Sequence, residues 1–311
     1  MSFSADTKNE IAHGHTAKHC CKLAESAGFI KACGSVVRSG NGGVGLVLTT
    51  ENPAVARHVK TLIADCFSVS SSLMVGETGF SRGRHIYELK ISAERGAGRI
   101  LKETGILSEH DGRWTIRDWL SDSILKKKCC RKACLRGLFL GAGTVSDPEK
   151  DYHLEIVFAE ATAAQAAKKL LGSFDDIHAK VRKRRDAYVV YIKDAEQIKD
   201  ILNITGAHAQ LLKYENVRVL KDVRNHTNRV SNCDNANADK SLRASDRQIA
   251  AILSLKQNET FDVLPANLKD TALARIRYPE ATLSELGEVL TPKVARSTVS
   301  GRLKQIEHMF E

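Results

Sequence analysis

The side chains best equipped for metal or redox chemistry in this 311-residue chain are its eight cysteines and a short run of histidines. His13, His15, His19 and Cys20 lie close enough in sequence to hold a metal ion between them. The segment containing Cys20 recurs, however. Cys20-Cys21 returns without a gap as Cys129-Cys130, Lys22 as Arg131, Ala24 as Ala133, Gly28 as Gly137, Gly34 as Gly143, Ser35 as Thr144 and Val36 as Val145. The second copy has nothing in place of the three histidines, and a motif built around a metal would have duplicated its ligands. Adjacent cysteines do not form ordinary disulfides with each other, and no Cys-x-x-Cys pair is followed by a second at zinc-finger spacing. The thiols therefore read as free, small and buried in a reducing compartment, with neither metal nor cofactor expected.

Carboxylate chemistry is equally thin along the repeat. Asp147 follows the second copy, precedes Pro148 and has no counterpart in the first copy, the pattern of a turn residue rather than half of a paired acid site. Basic residues are plentiful. They gather at Lys126, Lys127, Lys128, Arg131 and Lys132, and again at Lys180, Arg182, Lys183, Arg184 and Arg185. With 47 Lys and Arg against 37 Asp and Glu, the formal charge of +10 favours a polyanionic partner. A solvated hairpin face would account for either cluster alone, but their position within the repeat favours nucleic acid. No apolar run approaches the roughly 20 residues of a membrane helix, and the first ten residues lack the apolar core of a secretory signal, so a cytoplasmic protein is expected.

Two similar units must position these residues. Each copy of the repeat reads as a helix with a glycine-rich end. Residues 44–49 then read as a β-branched strand and 53–66 as a helix with Pro53 in its first turn, matched by a strand at 152–158 and an alanine-rich helix at 162–171. Further strands fall at 68–75 and 85–91 in the first half, and at 177–182 and 187–192 in the second. A last helix closes each unit, where Ile100-Leu101 before Thr104-Gly105 echoes Ile201-Leu202 before Thr205-Gly206. The predicted order, helix, two strands, helix, two strands, helix (αββαββα), thus occurs twice within residues 1–212, with halves of about 1–108 and 109–212 packed about a pseudo-two-fold axis.

Residues 213–240 read as a basic helix running into a polar linker that lacks Gly and Pro. Residues 241–311 read as an all-α domain. Ile249, Ile252 and Leu253 are expected on one core face, Leu268, Leu273 and Ile276 on another, and Leu283, Leu286 and Val289 on a short helix opened by a Thr282/Glu285 capping box. A turn at 291–293 precedes a final helix with Val299, Leu303 and Ile306 inward and Arg296, Ser297, Thr298, Ser300, Arg302 and Lys304 outward, the helix-turn-helix pattern.

The segments Ala-Gly-Phe-Ile-Lys-Ala-Cys-Gly at 27–34 and Leu-Arg-Gly-Leu-Phe-Leu-Gly-Ala-Gly at 135–143 resemble the two LAGLIDADG helices of homing endonucleases. With the C-terminal helix-turn-helix, the chain resembles the WhiA family of bacterial sporulation and cell-division regulators over essentially its full length. Met1-Ser2-Phe3, Cys129-Cys130-Arg131-Lys132, Tyr152-His153-Leu154-Glu155, Gly206-Ala207-His208, Arg224-Asn225, Asn228-Arg229 and Asn232-Cys233 add to the match. The fold this implies is α+β: a duplicated LAGLIDADG-type domain followed by a helix-turn-helix domain similar to region 4 of sigma factors.

The resemblance carries further expectations. Two such helices cross closely, so Gly28, Gly34, Gly137, Gly141 and Gly143, with Ala27, Ala32 and Ala142, are expected to let their backbones approach. In the nucleases an aspartate near each helix end holds Mg²⁺; here those positions are Cys33 and Ala142, and neither a thiol nor a methyl group replaces a hard oxygen ligand. The resemblance therefore implies a non-enzymatic, sequence-specific DNA-binding transcription regulator acting in sporulation, cell division or chromosome segregation. Its implied partners are promoter DNA, a WhiB-like iron-sulfur protein or an RNA polymerase sigma factor, and its implied place is on the nucleoid. DNA contacts are expected from Arg296, Ser297, Thr298, Ser300, Arg302 and Lys304, and by analogy with nuclease strands from Arg82, Arg84, Arg182, Lys183, Arg184 and Arg185. An active or nicking endonuclease and a protein-only docking scaffold are the alternatives.

Overall fold

A computed structural model describes residues 2–38, 43–77, 85–110, 113–258 and 260–309. The chain divides into two units, 1–220 and 221–311. The first opens with α1 (Phe3–His13), whose N-terminus is capped by Ser2, and continues through α2 (His19–Cys33), β1 (Gly34–Arg38), β2 (Val44–Thr50), α3 (Pro53–Phe67), β3 (Ser72–Glu77), β4 (His85–Ile91) and α4 (Ala97–Glu103). A small hairpin, β5 (Leu107–His110) with β6 (Arg113–Ile116), and a short α5 (Asp122–Leu125) lead to the second half. That half repeats the order as α6 (Lys128–Ala142), β7 (Gly143–Val145), β8 (Leu154–Phe158), α7 (Ala161–Leu171), β9 (Lys180–Arg184), β10 (Ala187–Ile192) and α8 (Ala195–Thr205).

Both halves thus follow the expected order of helices and strands. Their four-stranded antiparallel sheets have the same strand order, β1-β2-β4-β3 and β7-β8-β10-β9. The first strand of each half begins on the glycine that ends the preceding helix, so what reads as a glycine-rich helix end is a helix passing directly into a strand. Local chemistry fixes the other boundaries. Asn52 Oδ1 accepts from the Ala54 and Val55 amides ahead of α3, Asp194 caps α8, and Gly206 ends α8 in the left-handed region at φ 88°.

Alternation decides which sheet face is buried. Leu46 and Leu48 pair with Ile91 and Leu89, and Leu154, Ile156 and Phe158 pair with Ile192, Val190 and Tyr188; these side chains face the helices. The central layer is α2 against α6, from which one continuous core spreads through both halves.

The long α9 (His208–Gln257) begins in this unit. Glu10 of α1 accepts from the Ala209 and Gln210 amides at 2.6 and 2.9 Å, satisfying donors of the first turn of α9. Tyr214 is buried and its hydroxyl donates to the Ala195 carbonyl. Residues 213–240, read from sequence as helix then linker, form one uninterrupted helix, because no Pro or Gly interrupts its hydrogen-bond ladder. Residues 222–243 are exposed throughout.

In the second unit the end of α9 packs with a 3₁₀ turn (Thr260–Val263), α10 (Ala266–Arg277), α11 (Leu283–Val289) and α12 (Arg296–His308). Ile252, Leu255, Leu268, Leu286, Val299, Leu303 and Ile306 form its core. Leu253, Leu273 and Val289, expected inward, are about half exposed (47%, 48% and 51%); each lies at the edge of a short apolar stripe, where the partner helix covers the neighbouring residue instead. The capping box is present: Thr282 Oγ1 accepts from the Glu285 amide, and the Glu285 carboxylate accepts from the Thr282 amide.

Candidate nucleic-acid interface

Helices α2 and α6 meet through glycine. A methyl group on Gly28 would collide with the Cys134 carbonyl oxygen, and one on Gly137 with the Glu25 carbonyl oxygen; at Gly141 it would stand 2.7 Å from Ala32 Cβ. The two backbones therefore approach closely at Gly28 and Gly137, and at Gly141 the Ala32 methyl fills the space. Gly34 and Gly143 are different: the space beside them is filled by Ile30 and Phe139 of their own helices, so their smallness serves the helix-to-strand junction rather than the crossing.

At the C-terminal ends of the two helices a cleft of about 830 Å³ opens, lined by Cys33 and Ala142 together with Ser4, Lys8, Thr49 and Glu51. The Cys33 thiol donates to the Phe29 carbonyl, and burial pushes its pKa up to about 12, so it is a neutral, soft sulfur. Ala142 offers a methyl. Lys8, reaching in from α1, has its pKa lowered by burial, opposed by the neighbouring Cys33 and Glu51. Ser4 Oγ accepts from the Val145 amide and Asn9 Oδ1 from Asn52, which hold α1 across this end of the crossing. Glu51 brings one carboxylate to this lining, but beside it a neutral thiol, a methyl and a lysine amine do not fit Mg²⁺, which requires several oxygen ligands. Asp147 adds no second carboxylate, since its own accepts from the Glu149 amide within its own turn.

Pairing register places Lys180, Arg182 and Arg184 on the outer sheet face with Tyr191 and Glu155, and Lys183 on the other. The Arg184 guanidinium grips Glu155 with two bonds of 3.1 Å, while Arg182 stacks 5.5 Å from the Tyr191 ring centre. Burial alone would raise the Glu155 pKa; the hydrogen bonds from His153 and Arg184 outweigh it and lower it. Arg185 occupies the hairpin turn at φ 54°. Arg182, Lys183, Arg184 and Arg185 are all exposed, so the four cations share one hairpin but not one face. Arg82 and Arg84, their expected counterparts, lie outside the described residues.

The second unit builds its turn on Gly287. The Val294 amide donates to the Gly287 carbonyl at 3.1 Å, and a methyl on Gly287 would collide with the Val294 carbonyl oxygen. This close approach sets α12 behind α11. Val299, Leu303 and Ile306 then turn inward, leaving Arg296, Ser297, Thr298 and Lys304 exposed and Ser300 partly so. Arg302 is only half-buried and is tied down: its Nη1 donates to the Asn267 carbonyl at 3.4 Å and to Thr271 Oγ1 at 3.3 Å. The first turn of α12 thus offers a guanidinium and two hydroxyls at a helix N-terminus.

The WhiA N-terminal LAGLIDADG-like domain matches residues 19–107, the WhiA LAGLIDADG-like domain residues 131–224, and the WhiA C-terminal HTH domain residues 227–310. A protein of Thermoanaerobacter sp. strain X514 named "Probable cell division protein WhiA" is 43% identical over 99% of this chain and 97% of its own length. The chain belongs to the WhiA family. A Desulforamulus reducens relative of the same name is 42% identical over 100% of this chain and 96% of its own. The crystal structure of full-length WhiA from Thermatoga maritima covers 100% of this chain and 98% of its own, at 25% identity and a TM-score of 0.59. The WhiA family architecture, two LAGLIDADG-like halves followed by a helix-turn-helix domain, is therefore the architecture of this chain.

Two polar constellations escape the sequence. Lys8 carries no motif, and only tertiary packing brings it to the helix ends. Glu25, fully buried, accepts from Thr16 Oγ1 at 2.6 Å, lies 2.7 Å from His58 Nε2 and 3.8 Å from Arg136 Nη1. Arg136 also donates to Thr16 Oγ1 and the Thr205 carbonyl, so this network ties the two halves together. The histidine run does not converge: His13 Nδ1 bonds the Asn9 carbonyl, and His19 Nε2 faces the Cys66 carbonyl. No described helix is long and apolar enough to cross a membrane.

Proposed function

We propose that this chain is a sequence-specific DNA-binding transcription regulator of cell division and chromosome segregation, or of sporulation, and that it binds duplex DNA without cutting it. The reading rests on the first turn of α12, where Arg296, Ser297 and Thr298 are exposed while Val299, Leu303 and Ile306 anchor the helix in the core. A helix presented in this way enters the major groove by its N-terminal residues, with hydroxyls and guanidinium meeting base edges and phosphates. Lys304 lies farther along and suits backbone phosphate. Arg302 is better assigned to bracing α12 against α10, given its bonds to Asn267 and Thr271.

The duplicated domain supplies a second, non-catalytic surface. Arg182, Lys183 and Arg185 line its basic hairpin and suit phosphate contacts, whereas Arg184 positions Glu155. Absence of nuclease activity follows in this reading from Cys33, Ala142 and Lys8 at the helix ends. The names of the relatives support a role in cell division. Promoter DNA is the proposed partner on the nucleoid, with a WhiB-like protein or a sigma factor as candidate protein partners. The test is mapping of chromosomal sites occupied by the chain in cells, with and without Arg296→Ala and Thr298→Ala: sharp peaks lost in the double variant support the reading, and unchanged peaks contradict it.

A further inference from the structure

At the end of the helix crossing opposite Cys33 and Ala142, the repeat brings its two cysteine pairs together. The sulfurs of Cys20, Cys21, Cys129 and Cys130 all lie within 4.8 Å of one another, Cys21 and Cys130 buried and the other two partly so. These residues occupy the first turns of α2 and α6, behind Lys18 and Lys127, neither of which caps its helix with a side chain. Two helix N-termini without side-chain caps therefore bring their positive ends to the same four sulfurs, the Cys21 and Cys130 amides donating to the Lys18 and Lys127 carbonyls, and Lys128 and Arg131 add positive charge along α6. All eight cysteines of the chain are unbridged.

We propose that Cys20, Cys21, Cys129 and Cys130 form a tetrathiolate site for a single divalent zinc ion that staples the two halves together across the pseudo-two-fold axis. A tetrahedral ion with Zn–S bonds of about 2.3 Å separates its sulfurs by about 3.8 Å. Cys129 and Cys130 already stand 3.9 Å apart, and the remaining sulfurs need to close only modestly. A polynuclear iron-sulfur cluster inserts several metal and sulfide atoms between its thiolates, and a spread of no more than 4.8 Å leaves room for one ion. Each ligand loses its thiol proton to solvent as its Zn–S bond forms, and the resulting dianion is offset by the helix ends and the lysines. Here the ligands are duplicated, two from each half, which is the property the histidine cluster lacks. The ion would fix the crossing at the N-terminal ends, complementing the glycine contacts farther along.

The test uses the full chain, purified anaerobically with reductant, exposed to Zn²⁺ or Co²⁺ and desalted. The proposal expects about one zinc per chain by elemental analysis. With Co²⁺ it expects thiolate-to-cobalt charge-transfer bands and the intense visible bands of a tetrahedral ion. Loss of the ion is expected in Cys21→Ser and Cys130→Ser, and full retention in Cys66→Ser, whose thiol is buried elsewhere in the same unit. A folded wild-type chain that retains no ion or shows a Cys20–Cys129 disulfide in its place, or a folded Cys129→Ser/Cys130→Ser variant that keeps the ion, would overturn the proposal. Because the cobalt spectrum is read on the unsubstituted protein, a variant that fails to fold does not shield the idea.

Discussion

Gly28 and Gly137 occupy two-fold-related places in each other's helix: Gly28 rests on the Cys134 carbonyl and the Leu138 amide, and Gly137 on the Glu25 carbonyl and the Phe29 amide. The repeat seen in the sequence is thus a repeat of contacts, each glycine accommodating the backbone that its counterpart's helix presents. Because the obstacle is backbone rather than a movable side chain, a methyl cannot be accepted by rotamer change. Gly28→Ala and Gly137→Ala are each expected to destabilise the first unit by about 3 kcal/mol, the upper part of the overpacking range. Chemical denaturation followed by circular dichroism measures this; losses below about 1 kcal/mol would contradict the close approach.

Glu25 gives a second test of how the halves are joined. Glu25→Ala leaves His58 and Arg136 facing a buried gap, and removal of one partner from a buried charged network typically costs about 3–5 kcal/mol. Glu25→Gln keeps an acceptor for Thr16 and is expected to lose distinctly less. Equal stability of the two variants in urea titrations would show that hydrogen bonding there contributes little.

Cys33 should behave as an inert thiol. Its raised pKa keeps it protonated in the folded chain at neutral pH, so the stability it contributes is complete below about pH 9 and falls as pH rises toward about 12, where the unfolded thiol ionises first. Iodoacetamide at about pH 8 should therefore modify exposed Cys233 rapidly and half-buried, protonated Cys33 far more slowly. Peptide mapping by mass spectrometry reads the order, and labelling of Cys33 as fast as that of Cys233 would contradict its raised pKa.

Gly287 controls presentation of α12. Gly287→Ala forces the 290–295 turn away from α11 and is expected to weaken DNA binding through loss of the α11–α12 geometry, with thermal unfolding of the second unit moved down by several degrees. Arg302→Ala should act likewise, lowering stability along with affinity. Arg296→Ala should instead reduce affinity with stability unchanged, and reduce the salt dependence of binding by about one unit of slope if it contacts phosphate. Calorimetry and binding titrations on the same preparations separate these patterns.

Much of the fold was legible in the sequence because it is written locally. Asn52-Pro53 starts α3, Thr282 with Glu285 starts α11, and apolar alternation marks β4 and β10. Strands β1 and β7 belong to the expected order but could not be placed on residues, because each begins on the glycine that follows a helix, leaving no loop between two periodicities. Leu253 near the end of α9, Leu273 on α10 and Val289 on α11 are half exposed because an apolar stripe of two or three turns does not say which edge its neighbour covers. At the sites, Cys33 and Ala142 were readable as positions of a known motif, but Lys8 depends on the docking of α1. The four-thiol cluster depends on the pseudo-two-fold itself: its ligands are adjacent within each pair yet separated by a full half between pairs, a spacing that no local motif describes.

The central claim, DNA reading by α12 without cleavage, is tested most directly by one gel. The full chain is incubated with an end-labelled promoter duplex, recovered from its chromosomal sites, in the presence of Mg²⁺ or Mn²⁺, and bound and cut species are resolved on native and denaturing halves of the same reaction. The account predicts a retarded complex at low protein concentration, full-length strands throughout, and loss of the complex in Arg296→Ala/Thr298→Ala. Metal-dependent shortened strands, or a complex of undiminished affinity in the double variant, would contradict it.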